Sequence, residues 1–279
     1  MSLNELTKLP WSLEELEHIE SSGDMDKKTF NEKYGFPAKP VTISGIDADW
    51  VLPDKWSLPF LETHFGQFKV KGERVTETGS EYKVFELQEY FRYLESVEEE
   101  DPYYLNNIHF HAYTSMKDDY EVPDYFNCWY TELPIEKRKY NFSWIYIGAK
   151  NTRSGLHLDI WDTSAWNYLI TGVKLWLFFD QSQYPYLYEG KVDPFKASLE
   201  DYPDLAKARP KYCLQYPGDT VFTPSGWWHT ILNLETTFSL TENFINETNY
   251  KNVLAHFEKK KSKQGFESMS KIVEEHLTI

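Results

Sequence analysis

From about Asn141 onward the chain is divided into short segments in which apolar side chains alternate with polar ones or fill the whole segment. A period of two is typical of β-strands, because successive side chains point to opposite faces. Turn signals separate the segments at Thr171-Gly172, Pro217-Gly218 and Ser225-Gly226, and a Pro- and Tyr-rich insertion interrupts them at 181–212. This pattern predicts a mainly β fold, a sandwich or a barrel such as a jelly roll. The predicted strands are 142–148, 163–170, 173–179, 219–223, 227–234 and 237–245.

The pattern before Asn141 is more mixed. Residues 12–34 have the spacing of two short helices, the first with a capping box that begins at Ser12. Residues 39–48 alternate β-branched side chains and predict a strand that ends at a glycine turn. A short helix is predicted to begin at Ser57, and residues 82–98 have the spacing of an amphipathic helix that ends in an acidic run.

The pattern divides the chain into three segments. Residues 1–140 are expected to supply N-terminal helices and leading strands that pack on a barrel, and residues 141–248 are expected to form the β core. Residues 249–279 form a C-terminal helical segment, with helices at 250–262 and 266–277. These two helices could pack on the barrel or form a homodimer interface, and the sequence leaves both alternatives open.

Composition and charge narrow the class of partner. The formal net charge is -15, which is a poor match for a phosphate backbone and a better one for a basic protein or peptide. Cys128 and Cys213 do not make a disulfide framework, which indicates a reducing compartment, the cytoplasm or the nucleus. Residues 1–10 contain no apolar signal-peptide core, so we expect no secretion, and no run is apolar enough to cross a bilayer.

A fragment with metal-binding chemistry lies in the predicted β core. His157 and Asp159 are two residues apart, and on an extended strand both side chains point to the same face. A third ligand from another strand, His229, would complete a 2-His-1-carboxylate set, which leaves coordination positions open on iron. Histidines are also ordinary core and surface residues, so this fragment does not decide the chemistry by itself.

Two further segments add polar groups to an apolar setting. Thr171-Gly172 has the form of a two-residue hairpin loop, which would place Asn167 and Lys174 on one face. A lysine in an apolar strand is costly to bury unless it meets an anion, although its ammonium group could instead reach water. In the last predicted strand, Thr237, Ser239, Thr241 and Asn243 alternate with mainly apolar residues. This polar face would supply a hydroxyl group beside Lys174, or would be a solvated outer face.

These residues resemble the JmjC oxygenase family, and within it the lysyl hydroxylase subgroup once described as a phosphatidylserine receptor. The resemblance is strongest over about residues 142–248 and looser over 39–75. Compared with that subgroup, the sequence lacks a basic, Ser-rich tail. The matching motifs are Ser154-Gly-Leu-His-Leu-Asp, Thr163-Ser-Ala-Trp-Asn, Gly172-Val-Lys-Leu-Trp and the long Gly226-Trp-Trp-His-Thr-Ile-Leu-Asn-Leu-Glu-Thr-Thr, which continues as Phe238-Ser-Leu-Thr-Glu-Asn-Phe.

The resemblance implies a double-stranded β-helix, of the jelly-roll or cupin-like kind, with flanking N- and C-terminal helices. It implies a dioxygenase that uses Fe(II), 2-oxoglutarate and O2 and releases succinate and CO2. The implied site residues are His157, Asp159 and His229 as catalytic iron ligands, Lys174 and Thr241 for the distal carboxylate of 2-oxoglutarate, Asn167 in the same pocket, and Ser154 near the co-substrate.

The substrate expected from the resemblance and the acidic charge is a Lys or Arg side chain of a basic protein or peptide. Acidic runs at 98–101 and 117–121 are candidate docking features or simply solvated surface. Three alternatives stay open: N-methyl-lysine or N-methyl-arginine demethylation by the same mechanism, hydroxylation of an RNA base, and a non-catalytic cupin-like binding module. Aromatic candidates for a substrate groove, which are as often core residues, are Tyr103, Tyr104, Tyr125, Trp129 and Tyr130.

Overall fold

Two β-sheets face each other across the centre of the protein in the computed structural model, which describes residues 9–76 and 79–278. Residues 1–8, on which most of the expectation about secretion rests, lie outside the described residues. The strands are β1 (Glu17–His18), β2 (Glu20–Gly23), β3 (Val41–Ser44), β4 (Lys69–Thr76), β5 (Gly79–Glu86), β6 (Tyr104–Ile108), β7 (Ser143–Gly148), β8 (Arg153–His157), β9 (Ser164–Thr171), β10 (Lys174–Phe179), β11 (Lys211–Gln215), β12 (Asp219–Thr223), β13 (Trp228–Asn233) and β14 (Thr237–Phe244).

Helices flank the sheets at both ends of the chain and in the loops. The α-helices are α1 (Lys27–Phe30), α2 (Leu52–Lys55), α3 (Leu58–Phe65), α4 (Leu87–Ser96), α5 (Tyr250–Lys259) and α6 (Lys263–Leu277). A π-helical turn follows α1 at Asn31–Gly35. The 3-10 turns are Leu13–Glu15, Phe110–Tyr113, Ser115–Asp118, Asp124–Phe126, Trp129–Glu132, Ile135–Lys137, Ile160–Asp162, Gln181–Tyr186, Tyr188–Gly190 and Pro203–Lys207.

The order of the strands confirms the predicted jelly-roll architecture. Within the described residues, one sheet has the order β1-β11-β10-β13-β8 and the other the order β2-β3-β12-β9-β14-β7-β6-β4-β5. Strands that are distant in the chain are therefore neighbours in space. All six predicted core strands are present, with ends that differ by one residue or less from the predicted ones.

The N-terminal predictions were partly wrong. In place of the first helix predicted for 12–34 there is a single 3-10 turn at Leu13–Glu15, followed by β1 and β2. The helix predicted for 82–98 begins at Leu87, because the residues before it form β5. The strand predicted for 39–48 and the helix predicted after Ser57 are present as β3 and α3, and the Ser57 hydroxyl group accepts the N–H of Phe60.

The predicted hairpin between β9 and β10 was wrong. The strand β9 pairs with β12 and β14, whereas β10 pairs with β11 and β13 in the other sheet. Gly172 and Val173 therefore carry the chain from one sheet to the other instead of closing a turn within one sheet. A left-handed glycine suits either connection, and Gly172 has a φ of 85°.

The outer face of the larger sheet is covered by apolar side chains from both ends of the chain. Trp166, Phe238 and Phe244 from the sheet share one hydrophobic cluster with Phe30 and Trp56 from the N-terminal segment. The C-terminal helices α5 and α6 join the same cluster through Val253, Phe257, Met269, Ile272 and Val273. These helices thus pack on the barrel of their own chain, and the homodimer and the three-segment division stay predictions. No helix of the described ranges has the length and apolar character needed to cross a membrane.

We expect Gly172→Ala to destabilise the fold more than an alanine at a second left-handed glycine. A Cβ atom at residue 172 would lie 2.3 Å from the carbonyl oxygen of Thr236, whereas at Gly45, with a φ of 82°, it would meet nothing within 4 Å. The left-handed backbone costs both variants about 1 to 2 kcal/mol, and overpacking should add about 1 to 3 kcal/mol at residue 172.

Urea denaturation of both variants measures this difference. Equal losses of unfolding free energy in Gly172→Ala and Gly45→Ala would contradict the proposed close approach of residues 172 and 236.

Candidate active site

The pairing of β8 with β13 brings two histidines together. His229 is the cross-strand partner of His157, and their ring centroids are 4.2 Å apart. Asp159 follows the end of β8 in an extended conformation, and its Oδ2 atom lies 4.0 Å from Nε2 of His229. One candidate ligand atom from each of the three residues lies within 4.8 Å of the other two. A single metal ion could therefore be held by all three side chains.

Backbone carbonyl groups fix the tautomer of both histidines. Nδ1 of His157 lies 2.7 Å from the carbonyl oxygen of Gly155, and Nδ1 of His229 lies 3.1 Å from that of Trp227. Because a carbonyl oxygen can only accept, each Nδ1 must donate its proton, so in the neutral ring each Nε2 keeps its lone pair. Burial and the neighbouring His157 lower the pKa of His229 well below its usual value. The neutral imidazole is the form that binds a metal.

Asp159 lies in a site that disfavours its charge unless a cation is present. Burial raises the pKa of Asp159, and the nearby His157 and Asn243 oppose that effect only in part. A carboxylate beside two neutral imidazoles forms the donor set that non-haem iron(II) oxygenases use. The residues present thus fit an iron ion, and a bound cation would offset the desolvation of this carboxylate.

Ser154 supplies hydrogen bonds between β8 and β13 where the backbone ladder next to the histidines is interrupted. The register of β8 against β13 shifts between His229 and Ile231, so the ladder is locally interrupted. The Ser154 hydroxyl oxygen accepts the N–H of Ile231 at 3.1 Å, and its carbonyl oxygen accepts the hydroxyl group of Thr230 at 2.7 Å. Ser154 lines the cavity, and in this structure its hydroxyl group holds the strand that carries His229.

A strained loop holds Asp159 against the turn that precedes β13. Trp161 and Asp162 have positive φ values of 56° and 60°, which non-glycine residues rarely adopt. The Asp162 carboxylate accepts the N–H of Gly226 at 2.9 Å, and its carbonyl oxygen accepts the Ser225 hydroxyl group at 2.6 Å. These bonds join the loop after Asp159 to the turn before His229, and they thereby fix the relative positions of the two ligand-bearing segments.

A buried lysine lies at the deep end of the same cavity. Lys174 is 1 % exposed, and its Nζ atom donates to the Ser239 hydroxyl group at 2.6 Å and lies 3.4 Å from the Tyr104 hydroxyl group. The Nζ atom is also 5.7 Å from the ring centroid of Tyr146. Among the described residues no carboxylate forms an ion pair with Lys174. Burial without a neighbouring anion lowers the pKa of Lys174 to about 7. An anion bound beside it would raise that pKa again and restore the positive charge.

Asn167 and Thr241 flank this lysine from the larger sheet. Asn167 donates to Ser239 at 3.3 Å, and its carbonyl oxygen Oδ1 is buried without a hydrogen-bond partner within the described ranges. Thr241 is the cross-strand partner of Asn167 and donates its hydroxyl proton to the carbonyl oxygen of Trp166 at 2.8 Å. Ser239, one step along the predicted polar face, is the hydroxyl group that contacts Lys174, whereas Thr241 lines the cavity, and its predicted role stays a prediction.

All seven predicted site residues line one cavity of about 280 Å³. The smaller sheet supplies His157, His229, Lys174 and Trp176, and the larger sheet supplies Asn167, Thr241 and Asn243. Tyr104 was predicted only as one of five aromatic residues that could line a substrate groove, and Glu73, Asn106 and Tyr146 were not predicted. The additional lining residues are Val75, Arg153, Gly155, Leu156, Ala165, Trp166, Thr223 and Ile231.

Several carboxylates of the predicted docking runs are already paired inside the protein. Asp101 binds Arg153 and Lys196, and Glu99 binds Arg74. Asp119 is buried and accepts from both Lys55 and the Trp56 indole at 2.8 Å. These groups stabilise loops around the barrel and are not free to dock a basic partner.

The other candidate groove aromatics do not line the cavity. Tyr125, Trp129 and Tyr130 belong to the hydrophobic core, and Tyr103 packs against its edge.

Comparison with known proteins gives a family and several relatives. Residues 27–252 match the cupin-like domain family. The chain is 30 % identical over 248 residues to Lysine-specific demethylase JMJ21 of Arabidopsis thaliana, covering 84 % of this chain and 26 % of that protein. It is 25 % identical over 271 residues to Bifunctional arginine demethylase and lysyl-hydroxylase psr-1 of Caenorhabditis elegans, covering 89 % and 66 %.

A shorter match links the chain to a relative whose name states its cofactors. The chain is 32 % identical over 152 residues to 2-oxoglutarate and iron-dependent oxygenase JMJD4 homolog of Drosophila melanogaster, covering 53 % of this chain and 35 % of that protein. The chain thus spans between about a quarter and two thirds of the length of these relatives.

We expect Lys174 to make the ligand-free protein more stable as the pH rises. Burial lowers the pKa of Lys174 from 10.5 to about 7, so between these pH values the unfolded chain carries a proton that the folded protein has lost. The unfolding free energy of the wild type, relative to Lys174→Met, should therefore rise by about 1 to 3 kcal/mol between pH 7 and pH 9.

Urea denaturation of metal-free protein at pH 7, 8 and 9 measures that difference, with the exposed Lys150→Met as the control. A difference that stays constant with pH for Lys174→Met would show that the buried ammonium group keeps its charge.

Proposed function

Since this chain belongs to the cupin-like family of JmjC domains, we propose that it is an Fe(II)- and 2-oxoglutarate-dependent dioxygenase that hydroxylates a Lys or Arg side chain of a protein. The observation that carries the proposal is one cavity with a His157–Asp159–His229 cluster at one point and, at another, a buried Lys174 that pairs with no carboxylate of the described residues. A dicarboxylate that chelates a metal and reaches a lysine would satisfy both groups.

In this proposal, His157, Asp159 and His229 hold Fe(II) on one side and leave its other positions open. The Nδ1–H groups of the two histidines stay bonded to the carbonyl oxygens of Gly155 and Trp227, which keeps each ring oriented toward the metal. When bound, iron and 2-oxoglutarate supply the oxidation of a substrate C–H bond by O2, which yields the alcohol, succinate and CO2.

The deep end of the cavity is proposed to bind the distal carboxylate of 2-oxoglutarate. Lys174 would donate a charge-assisted hydrogen bond, and the hydroxyl groups of Ser239 and Tyr104 already lie within 3.4 Å of its Nζ atom. Asn167 contributes an amide to the same wall, and the Thr241 hydroxyl group, which donates to the carbonyl oxygen of Trp166 in this structure, would donate its proton to the carboxylate instead. A carboxylate at this position would return Lys174 to its charged form, because the pair removes the cost of burial.

The relatives support a protein substrate. Two are named as demethylases of arginine or lysine, and one of these is also named a lysyl-hydroxylase. A Lys or Arg side chain is therefore the proposed target, without nucleic acid or membrane as a partner.

Three further predictions from the sequence stay proposals. They are a location in the cytoplasm or nucleus, a division of the chain at residues 140 and 248, and a homodimer through the C-terminal helices.

Demethylation of N-methyl-lysine or N-methyl-arginine is the second candidate, because the names of these relatives include it. Hydroxylation of an N-methyl carbon gives an unstable product that releases formaldehyde. Formaldehyde formed from a methylated peptide would favour demethylation, whereas a stable product 16 Da heavier than the unmethylated peptide would favour side-chain hydroxylation.

We expect iron-dependent succinate formation from 2-oxoglutarate, in the presence of ascorbate and air, to fall at least about 100-fold in His229→Ala. Removing a ligand leaves two side chains to hold the metal, and even outer-shell changes cost about 10- to 100-fold. The exposed His64→Ala is a matched control and should keep wild-type turnover.

Wild-type turnover in His229→Ala would contradict the ligand assignment. If the wild type forms no succinate and titration detects no 2-oxoglutarate binding, the cavity belongs to a non-catalytic binding module.

A further inference from the structure

One wall of the cavity carries a carboxylate that the proposed chemistry does not use. Glu73 in β4 is the cross-strand partner of Tyr104 in β6, and Tyr104 lies 3.4 Å from the ammonium group of Lys174. Directly paired residues point to the same face of a sheet, with Cβ atoms about 4.5 to 5.5 Å apart. Tyr104 is buried and Glu73 is half-buried, so Glu73 continues this wall from the deep end toward solvent.

Neutral donors hold the Glu73 carboxylate in place. Its Oε2 atom accepts from the Asn106 amide at 2.6 Å, and its Oε1 atom accepts from the hydroxyl groups of Ser80 at 2.6 Å and Tyr82 at 3.3 Å. None of these donors is charged, so the carboxylate is oriented without being neutralised. Such pre-orientation reduces the conformational entropy that the Glu73 side chain must lose when a ligand binds to it.

The cationic side chains near Glu73 are engaged elsewhere. Arg74 points to the opposite face of β4, where it lies over the Tyr103 ring and binds Glu99. Lys71 is exposed, with its ammonium group 3.6 Å from the ring centroid of Tyr82. No ion pair within 4 Å joins Glu73 to a cation in the part of the chain that the structure describes.

Each of the other charged side chains of the cavity is paired with a group of opposite charge, either in the protein or in the proposed ligands. Arg153 is held by Asp101 and Asp193. Asp159 faces the proposed iron, and Lys174 faces the proposed co-substrate. Fe(II), Asp159, Lys174 and 2-oxoglutarate carry +2, -1, +1 and -2, which sum to zero. The negative charge of Glu73 is then uncompensated in the loaded site.

We infer that Glu73 is a specificity-determining residue that binds the cationic end of the substrate side chain, an ammonium or a guanidinium group. The inference rests on the proposed function and deepens it, because it places selection for charge at one residue. A cation there would form charge-assisted hydrogen bonds with an oriented acceptor, while an uncharged side chain of the same length would leave that acceptor without a partner. Apolar Val75 and Leu156 line the same cavity and can contact the aliphatic part.

The test compares charged and neutral side chains of similar shape. Capped pentapeptides with a central lysine, norleucine, arginine or citrulline are titrated by calorimetry onto protein loaded with Mn(II) and 2-oxoglutarate. We expect wild type to bind the lysine or the arginine peptide at least about tenfold more tightly than its neutral counterpart. In Glu73→Gln the ratio should fall to about one.

Two control variants separate charge recognition from support of the β4–β5 hairpin. Glu81→Gln removes a carboxylate from the same hairpin at an exposed position and should leave the binding ratio unchanged. Ser80→Ala removes one donor to Glu73 but keeps the charge, so the preference for the cationic peptide should remain even if stability falls. Thermal melts of all variants check that each is folded.

Two kinds of negative result lead to different conclusions. Failure of Mn(II)-loaded wild type to bind 2-oxoglutarate would overturn the proposed function itself. If 2-oxoglutarate binds but wild type shows no preference for either cationic peptide, or Glu73→Gln keeps the preference, then Glu73 does not select the substrate and serves to hold the hairpin.

Discussion

The antiparallel register of β8 against β13 is the constraint on which the site depends. It makes His157 and His229 direct partners across two strands that are far apart in the chain. A shift by one residue would turn one imidazole away from the cavity, because side chains alternate between faces. Ser154 holds this register where the ladder is interrupted, and the Asp162 contacts to Ser225 and Gly226 hold the neighbouring loop. The geometry of the three side chains is therefore a property of strand pairing.

The same cavity shows how burial prepares a site for charged ligands. Burial raises the pKa of Asp159 and lowers the pKa of Lys174, so each group is held in an environment that disfavours its own charge. A metal cation beside the first and an anion beside the second reverse both effects. Their separation within one cavity defines the kind of molecule that fits, since it must present an anionic group at each end. The charge of Glu73 is not compensated by either of these ligand groups, and its side chain lines the part of the same cavity that is left for the substrate.

The sequence was sufficient to predict the core strands and to identify His157, Asp159 and His229, which the fold brings together, and insufficient to predict the surroundings of the site. The role of these three residues as metal ligands stays a prediction. Strands β7, β9, β10, β12, β13 and β14 are rich in apolar and β-branched residues, so their pattern was readable. The charged strand β4 and the short β8, which contains Gly155, have no comparable pattern. β8 is an edge strand, and β4 lies next to the exposed edge strand β5, so neither strand needs a continuous apolar face. Glu73 was therefore overlooked.

The wrong hairpin has a different cause. Thr171-Gly172 permits both a turn within one sheet and a passage between two sheets, and local sequence does not distinguish them. Asn167 and Lys174 still line the same cavity, but they come from different sheets and share the Ser239 hydroxyl group as a partner. Ser239 was placed on the correct polar face from alternation alone. Its contact with Lys174 could not be predicted, because that contact depends on how the two sheets are stacked.

The interleaved strand order has a kinetic consequence. In the larger sheet, β12 lies between β3 and β9, and β14 lies between β9 and β7, so each of these four ladders closes a long loop of chain. Folding rates fall as the mean sequence separation of contacts rises, since the entropy of loop closure is lost before the contacts form. His157 and His229 belong to strands that are also far apart in the chain, and they become neighbours only when β8 pairs with β13. A nascent chain that ends before β13 lacks His229, so the His157–Asp159–His229 cluster is incomplete until that strand has been synthesised.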